Sequence, residues 1–311
     1  MRMEVPQQQS LKEHRNNMKK YFEVPVNKYV SEKEYCVYRP ASLSNPKDNA
    51  VMFITEGFLQ YQEAFFKVKE CLIFCPKTWD VPKEVLEKHA VVPCENPHLQ
   101  YCCFFKENEI TYLPPKESVS LIDGAFIAES AVIGEDVVIM PGAYIGGEVT
   151  LGNHVYIGAG TKLVGEVHIA DGVVIRENSV IGADGLSTDR DENGKAVTMP
   201  QFGGVILEQN VQIGANTVIA RGAIDNTVIK EGSKVDNQCF ISHNVVIGRD
   251  TFVVGETIMF GSSSTGDKAY LSGNSTIRNG IHIGDNALVG MGAVVVKDVE
   301  SGKTVKGNPA K

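Results

Sequence analysis

The sequence predicts a mainly β fold, a solenoid of short coiled strands preceded by a small α/β domain. Three observations predict it. An aliphatic residue recurs at every sixth position through most of the chain after Leu121. Polar, glycine-rich stretches interrupt that period at two places. Before residue 118 the period is absent and the aromatic residues concentrate.

Stepping by six from Leu121 reaches Ile127, Ile133, Ile139, Ile145, Leu151, Ile157, Leu163, Ile169, Ile175 and Ile181. Four places after each member up to Ile175 stands a small or β-branched residue, from Ala125 through Val149 and Thr161 to Ser179. The phase resumes at Leu207, Ile213 and Ile219, and again from Ile229 to Val295, where only Met259 and Thr265 depart from Ile, Leu or Val. Such a period fits neither an amphipathic helix nor an alternating strand. Short strands that turn every six residues make a triangular coil of about 18 residues, the aliphatic side chain inward and the small one at the corner. Stacked coils pair their strands in parallel and bury one continuous core. This is the hexapeptide repeat of left-handed parallel β-helices, an exception to right-handed crossover. The β-helix is expected over residues 118–299, with a terminal stretch at 300–311.

The interruptions are residues 182–204, "GADGLSTDRDENGKAVTMPQFGG", and a shorter addition within 220–228, "ARGAIDNTV". A long aperiodic loop inside a compact domain is commonly functional. Residues 1–20 read as a tail and 21–117 as the α/β domain. There "AVMFI" and "ECLIFC" read as buried strands and "LQYQEAFFKVK" between them as a helix. "PKEVLEKH", opened by proline, and "NPHLQYCCFFKEN" read as two more helices.

A formal net charge of -8 argues against a nucleic-acid binder, which usually carries a basic face. The polar N-terminus lacks the apolar segment of a secretory signal, and no apolar run is long enough to span a membrane. The seven cysteines lack zinc-like paired spacing and read as buried thiols of a reducing cytoplasm. Aromatic residues of the α/β domain read mostly as core, with one or two free to stack on a base.

Within "VDNQCFISHNVVIG", residues 235–248, Ile241 is an inward position, so His243 projects outward at a corner. Asp236 stands seven residues earlier and is placed to orient the imidazole. One coil of eighteen residues beyond His243 is Gly261, whose backbone should lie directly above it. A base beside an unhindered backbone N–H suits acyl transfer: the base takes a proton from the attacking group and the N–H holds the oxyanion.

"QIGANTVIARGAIDNTVIKEGSKVDNQCFISHNVVIG", with "GADG" and "MPQFGG", resembles the UDP-3-O-acylglucosamine N-acyltransferases of lipid A synthesis, over about residues 36 to 300. The resemblance implies His243 as general base, Asp236 as its partner, Gly261 as oxyanion donor, and Asn237 and Gln238 of the "DNQ" as substrate contacts. It implies a uridine-binding N-terminal domain in which Phe53 stacks on uracil. Phe58 and Tyr61 are both candidates for the second aromatic, and "ENPH" matches an Asn-Pro segment of the family. It also implies a homotrimer with sites between neighbouring β-helices. There are departures. The family's second histidine falls near Gly280, and His282 lies two places away. The ending "GNPAK" resembles coenzyme A-dependent hexapeptide acetyltransferases, so Lys306 and Lys311, with Lys297 and Lys303, are expected to meet the donor phosphates.

These readings converge on a cytoplasmic N-acyltransferase. It moves an acyl group from a thioester, acyl-CoA (acetyl-CoA) or acyl carrier protein, to the amino group of a UDP-linked amino sugar, without a metal. Three rivals use the same coils. An acetyl-CoA-dependent O-acetyltransferase of a small alcohol has no need of a nucleotide domain. A γ-class carbonic anhydrase needs three zinc ligands, and His154, His168 and His243 lack the spacing. A non-catalytic sugar-nucleotide-binding protein would show no turnover.

Overall fold

The structure, a computed structural model, describes residues 19–113 and 117–311. Most of the expected tail, residues 1–18, lies outside the described residues. The chain forms two compact units, Met1–Ile110 with Asp189–Val197, and Thr111–Thr188 with Thr198–Lys311.

The first unit is built on four parallel strands in the order Arg39–Pro40, Ala50–Phe53, Leu72–Pro76 and Ala90–Cys94. The central strand Leu72–Pro76 is buried at every position, the pattern of a parallel strand covered on both faces. Ala90–Cys94, which contains Pro93, was not assigned from the sequence. It is an edge strand, where proline is tolerated. The helix Pro97–Glu107 starts where the sequence says: the Asn96 side chain accepts the Leu99 N–H at 3.0 Å, and Pro97 supplies a preset first turn. A second helix covers Lys83–Lys88. The segment expected as an ordinary helix is instead a 3-10 winding, Glu56–Lys67. Three residues per turn place Phe58 and Tyr61 on one line, ring centroids 6.1 Å apart and both 55% exposed. Ala64 and Phe65 face the core.

The second unit is the left-handed parallel β-helix. Strands of the coil pair in parallel with partners eighteen residues apart, as Tyr144 with Lys162 and Ile145 with Leu163. Three sheets result, of nine, ten and eight strands, here called faces one, two and three. Inward residues such as Ile157, Ile175, Ile241 and Val289 are fully buried, and so are corner residues such as Thr161, Ser179 and Ser263. Residues facing out of the strands, such as Phe252 and Tyr270, stay partly exposed.

The turns explain which polar residues the repeat tolerates. The second turn residue is left-handed in coil after coil, as at Asn178 (φ 57°), Asn244 (φ 60°), Asn274 (φ 56°) and Gly280 (φ 71°). Asn and Gly adopt that conformation at least cost. The preceding turn position often carries Asn or Asp, whose side chain accepts the backbone N–H of the coil before it. Asp171 Oδ1 takes the Asn153 N–H at 2.7 Å, and Asp285 Oδ1 takes the Asp267 N–H at 2.8 Å.

Leu121 departs from the expectation. It is 66% exposed and belongs to Val119–Ile122, which pairs antiparallel with Ala125–Ala128. The two-residue connection Asp123-Gly124 has positive φ at both positions, a type I′ hairpin that "DG" announces. The coil proper begins after that hairpin. Leu121 keeps the period because its strand alternates, but no earlier coil lies beneath it.

Both excursions leave the coil at one corner, between faces two and three. The first runs from Ala183 to Val205, so that Ile169 pairs with Leu207. The second runs from Ala220 to Thr227, so that Leu207 pairs with Ile229. Neither disturbs the inward column.

Candidate active site

His243 sits at that same corner, one coil beyond the second excursion. It follows the face-two strand Phe240–Ile241 and precedes the face-three strand Val246–Ile247, as the first turn residue. It is half-buried. Its Nδ1 is 3.1 Å from Asn244 Oδ1.

The backbone determines which way Asn244 points. Its Oδ1 accepts the Ala223 N–H at 2.9 Å, and its Nδ2 donates to the Asp225 carbonyl at 2.7 Å. An amide so held presents only an oxygen to the imidazole. In the neutral ring Nδ1 therefore carries the proton and Nε2 the lone pair, the tautomer a general base needs.

Gly261 lies over Nε2. A Cβ added to it would stand 2.5 Å from both Cε1 and Nε2 of His243. The Gly261 carbonyl accepts the Gly280 N–H at 3.1 Å, whereas its own N–H has no protein partner among the described residues. Gly185, from the long excursion, covers another part of the ring: a Cβ there would meet His243 Cβ at 2.8 Å and Cδ2 at 3.1 Å. The imidazole is thus enclosed by two glycine backbones at positions where any side chain would collide.

Asp236 does not reach His243. Its Oδ2 accepts the Gly255 N–H at 3.1 Å, at the corner between faces one and two. Seven residues carry the chain across a whole face, so the two side chains belong to different corners, and the neighbour of the imidazole is Asn244. Asn237 and Gln238 stay with Asp236. Asn237 Oδ1 takes the Ala215 N–H at 2.7 Å, and Gln238 is the left-handed turn residue, φ 59°. Asp236 and Asn237 border a shallow cavity of about 380 Å³ with Arg176, Gln212 and Lys234, on face one. His243 is not among the residues that line this cavity.

Lys306 and Lys311 close the last coil on each other through backbone hydrogen bonds of 3.2 and 3.1 Å. Lys306 follows a face-one strand, in the column of Asp236 rather than that of His243. Within one chain the structure therefore groups His243 with Gly261, and leaves the expected donor contacts elsewhere.

In the first unit, Phe53 packs against Tyr101 (4.8 Å between centroids) and His98 (5.4 Å). Tyr61 pairs with Phe58 instead, so the two expected stacking rings stand in separate aromatic groups. His98 Nδ1 lies 2.9 Å from Asp189 Oδ2, a link sequence reasoning missed. The His98 hydrogen bond holds the Asp189 carboxyl below its ordinary range.

Other described histidines have partners outside this corner. His154 faces Asp136 at 3.5 Å, His168 faces Glu166 at 3.3 Å, and His282 Nδ1 meets Ser264 Oγ at 2.9 Å. The cysteines are free thiols. Burial pushes Cys71, Cys75 and Cys102 up to about 12 and Cys239 to about 11, so these are unreactive at neutral pH. Among the described residues no three His, Cys, Asp or Glu side chains gather as a metal site. Nor does any described helix have the length and apolarity to cross a membrane.

Comparison with known proteins follows the same division. The family model described as bacterial transferase hexapeptide (six repeats) matches residues 130–165, and that described as hexapeptide repeat of succinyl-transferase matches residues 266–297. A UDP-3-O-acylglucosamine N-acyltransferase of Wolinella succinogenes is 36% identical over 137 residues, 44% of this chain and 43% of that protein. One from Francisella tularensis subsp. holarctica is 52% identical over 79 residues, 25% of this chain and 23% of its own length. The chain thus spans less than half the length of these relatives. Among solved structures, the UDP-N-acetylglucosamine acyltransferase of Campylobacter jejuni aligns with TM-score 0.55 at 21% identity, over 62% of this chain and 73% of its own. That of Bacteroides fragilis aligns with TM-score 0.56 at 23% identity, over the same shares. These two likenesses are of fold.

Proposed function

We propose that this chain, a hexapeptide-repeat protein related in sequence to the UDP-3-O-acylglucosamine N-acyltransferases, transfers an acyl group from a thioester to the amino group of a UDP-linked amino sugar. The observation that carries the proposal is His243 Nε2, which Asn244 leaves with the lone pair in the neutral ring, set against the Gly261 backbone. The amine attacks the thioester carbonyl while Nε2 takes its proton, and the carbonyl oxygen gathers charge against the Gly261 N–H. Collapse expels the thiolate, which takes the proton from the imidazolium. The products are an amide and a free thiol.

The same reading assigns uridine to the first unit, with Phe53 as its stacking surface and Tyr61 or Phe58 as a second ring. A homotrimer completes the site, because His243 is open on its outer side and the DNQ corner lies a face away. Partly exposed Phe240, Phe252, Tyr270 and Leu288 supply apolar surface for such contacts. The donor is a thioester of coenzyme A or of acyl carrier protein, met near Lys306 and Lys311. Free thiols and a cytosolic class of substrates suit the cytoplasm.

The test is turnover with a panel of UDP-amino sugars, offered both acyl-CoA and acylated carrier protein. His243→Ala should cost about 10²-fold or more in turnover at unchanged folding. Activity near that of the unaltered protein removes His243 from the reaction. Acylation of small alcohols without nucleotide would favour an O-acetyltransferase, and binding without turnover a sugar-nucleotide-binding protein. Phe53→Ala should weaken UDP binding about tenfold, as loss of one base-stacking contact does. Unchanged UDP titration makes Phe53 a core residue.

A further inference from the structure

Arg221 is the largest of the fully buried side chains, 1% exposed, and it lies in the shorter excursion. A buried guanidinium forfeits hydration, so its place in a core otherwise built from Ile, Val, Ser and Thr calls for a reason. Its contacts supply one. The backbone N–H donates to Ala183 O at 2.8 Å, where the long excursion leaves the coil. The side-chain Nε donates to Gly203 O at 2.6 Å, where that excursion returns. The guanidinium carbon lies 4.4 Å from the centre of the Tyr112 ring. A Cβ on Gly165 would come within 2.7 Å of Nη1, so the coil beneath is carved to admit the group.

The next residues of the same excursion continue the connection. Gly222 O accepts the Gly203 N–H at 3.0 Å and Ala223 O accepts the Phe202 N–H at 2.9 Å. The Ala223 N–H in turn donates to Asn244 Oδ1, and Asp225 O receives Asn244 Nδ2. One residue, by its backbone at Ala183 and its side chain at Gly203, therefore joins the two ends of the loop that lays Gly185 on the imidazole to the segment that orients Asn244.

We propose that Arg221 is a positioning residue: it locks the 182–204 loop to the 220–227 excursion and so holds Gly185 and Asn244 against His243, keeping the imidazole in its Nδ1–H form. Only arginine offers a planar fork of donors that reaches a carbonyl from Nε while the guanidinium lies on an aromatic face. Lysine carries the charge without that fork. The role in turnover rests on the acyl-transfer reading; the hold on the imidazole does not.

The experiment uses the full chain labelled with 15N-histidine, with the His243 signals assigned by their loss in His243→Gln. At a pH where the ring is neutral, the unaltered protein should show a single Nδ1–H tautomer. Arg221→Lys and Arg221→Gln should shift both ring nitrogens toward a tautomer average. Each should also lower kcat about tenfold or more, the cost of misplacing a catalytic group by a fraction of an ångström to an ångström. KM for the sugar nucleotide should stay within about twofold, because Arg221 touches no substrate. A cooperatively folded variant with unchanged tautomer overturns the proposal. So does loss of cooperative unfolding in both variants, which would make Arg221 a folding residue. If the unaltered protein acylates no amine, the acyl-transfer reading fails, and the nitrogen shifts still decide the role of Arg221.

Discussion

One coil turns two successive corners, at Asp236-Asn237-Gln238 and at Ser242-His243-Asn244, and uses them differently. The two hexapeptides align position for position, and each is followed one coil later by a glycine, Gly255 and Gly261. At the first corner the backbone is saturated: Asp236 takes the Gly255 N–H and Asn237 takes the Ala215 N–H. At the second, Ser242 stands where Asp236 stood, and the Gly261 N–H has no protein partner among the described residues. His243 stands where Asn237 stood, and its ring occupies the place a Gly261 side chain would take. A reactive corner therefore differs from a structural one by what it withholds. The donor that normally stitches coil to coil is left for a passing oxygen.

The comparison can be broken most sharply at the glycines. In Gly261→Ala the new methyl would collide with Cε1 and Nε2 at 2.5 Å, whereas at Gly255 the nearest atoms are at 3.3 Å. Gly261→Ala keeps the N–H but pushes the imidazole aside, and should lower turnover by about 10²-fold or more, the scale of a misplaced general base. Gly255→Ala, measured beside it, should leave turnover within about twofold. Equal effects would end the distinction between the corners.

Ser242→Asp sharpens it by making the reactive corner resemble the structural one. The added carboxylate should capture the Gly261 N–H and lower turnover about 10²-fold without displacing His243. Turnover in the protein with retained circular dichroism decides this, and an active variant would mean that the N–H is not the donor. The reverse change, Asp236→Ser, should have the smallest effect. It removes one exposed hydrogen bond to Gly255, worth about 1 kcal/mol in a denaturant titration, and leaves turnover within about twofold. A large loss of turnover would return Asp236 to the reaction from the side of a neighbouring copy.

The solenoid was legible because burial dictates every sixth side chain, and Ile145 to Val295 had to be aliphatic or small for coils to stack. The pairing of His243 with Gly261 was legible for the same reason, since no excursion separates them and eighteen residues make one coil. Within one chain Asp236 lies a corner away from His243, because seven residues traverse a face, whereas the next residue, Asn244, reaches the ring. Gly185 was illegible in position, though "GADG" was noted, because an aperiodic loop carries no register. Arg221 was not singled out in the sequence, and its surroundings at Gly165 and Gly203 are brought near it only by the fold. In the first unit, the 3-10 winding of Glu56–Lys67 hid behind an apolar spacing that an α-helix also fits.

Because both excursions leave at the corner between faces two and three, all irregularity of the solenoid is gathered in one column. Loop length there is nearly free of cost, rising only slowly with the number of residues, and the inward stack never registers the change. The corner therefore behaves as a socket. A descendant could exchange the segment between Ala183 and Val205 for one of another size, and so reshape the surroundings of His243, while inheriting the imidazole, Gly261 and the inward core unaltered.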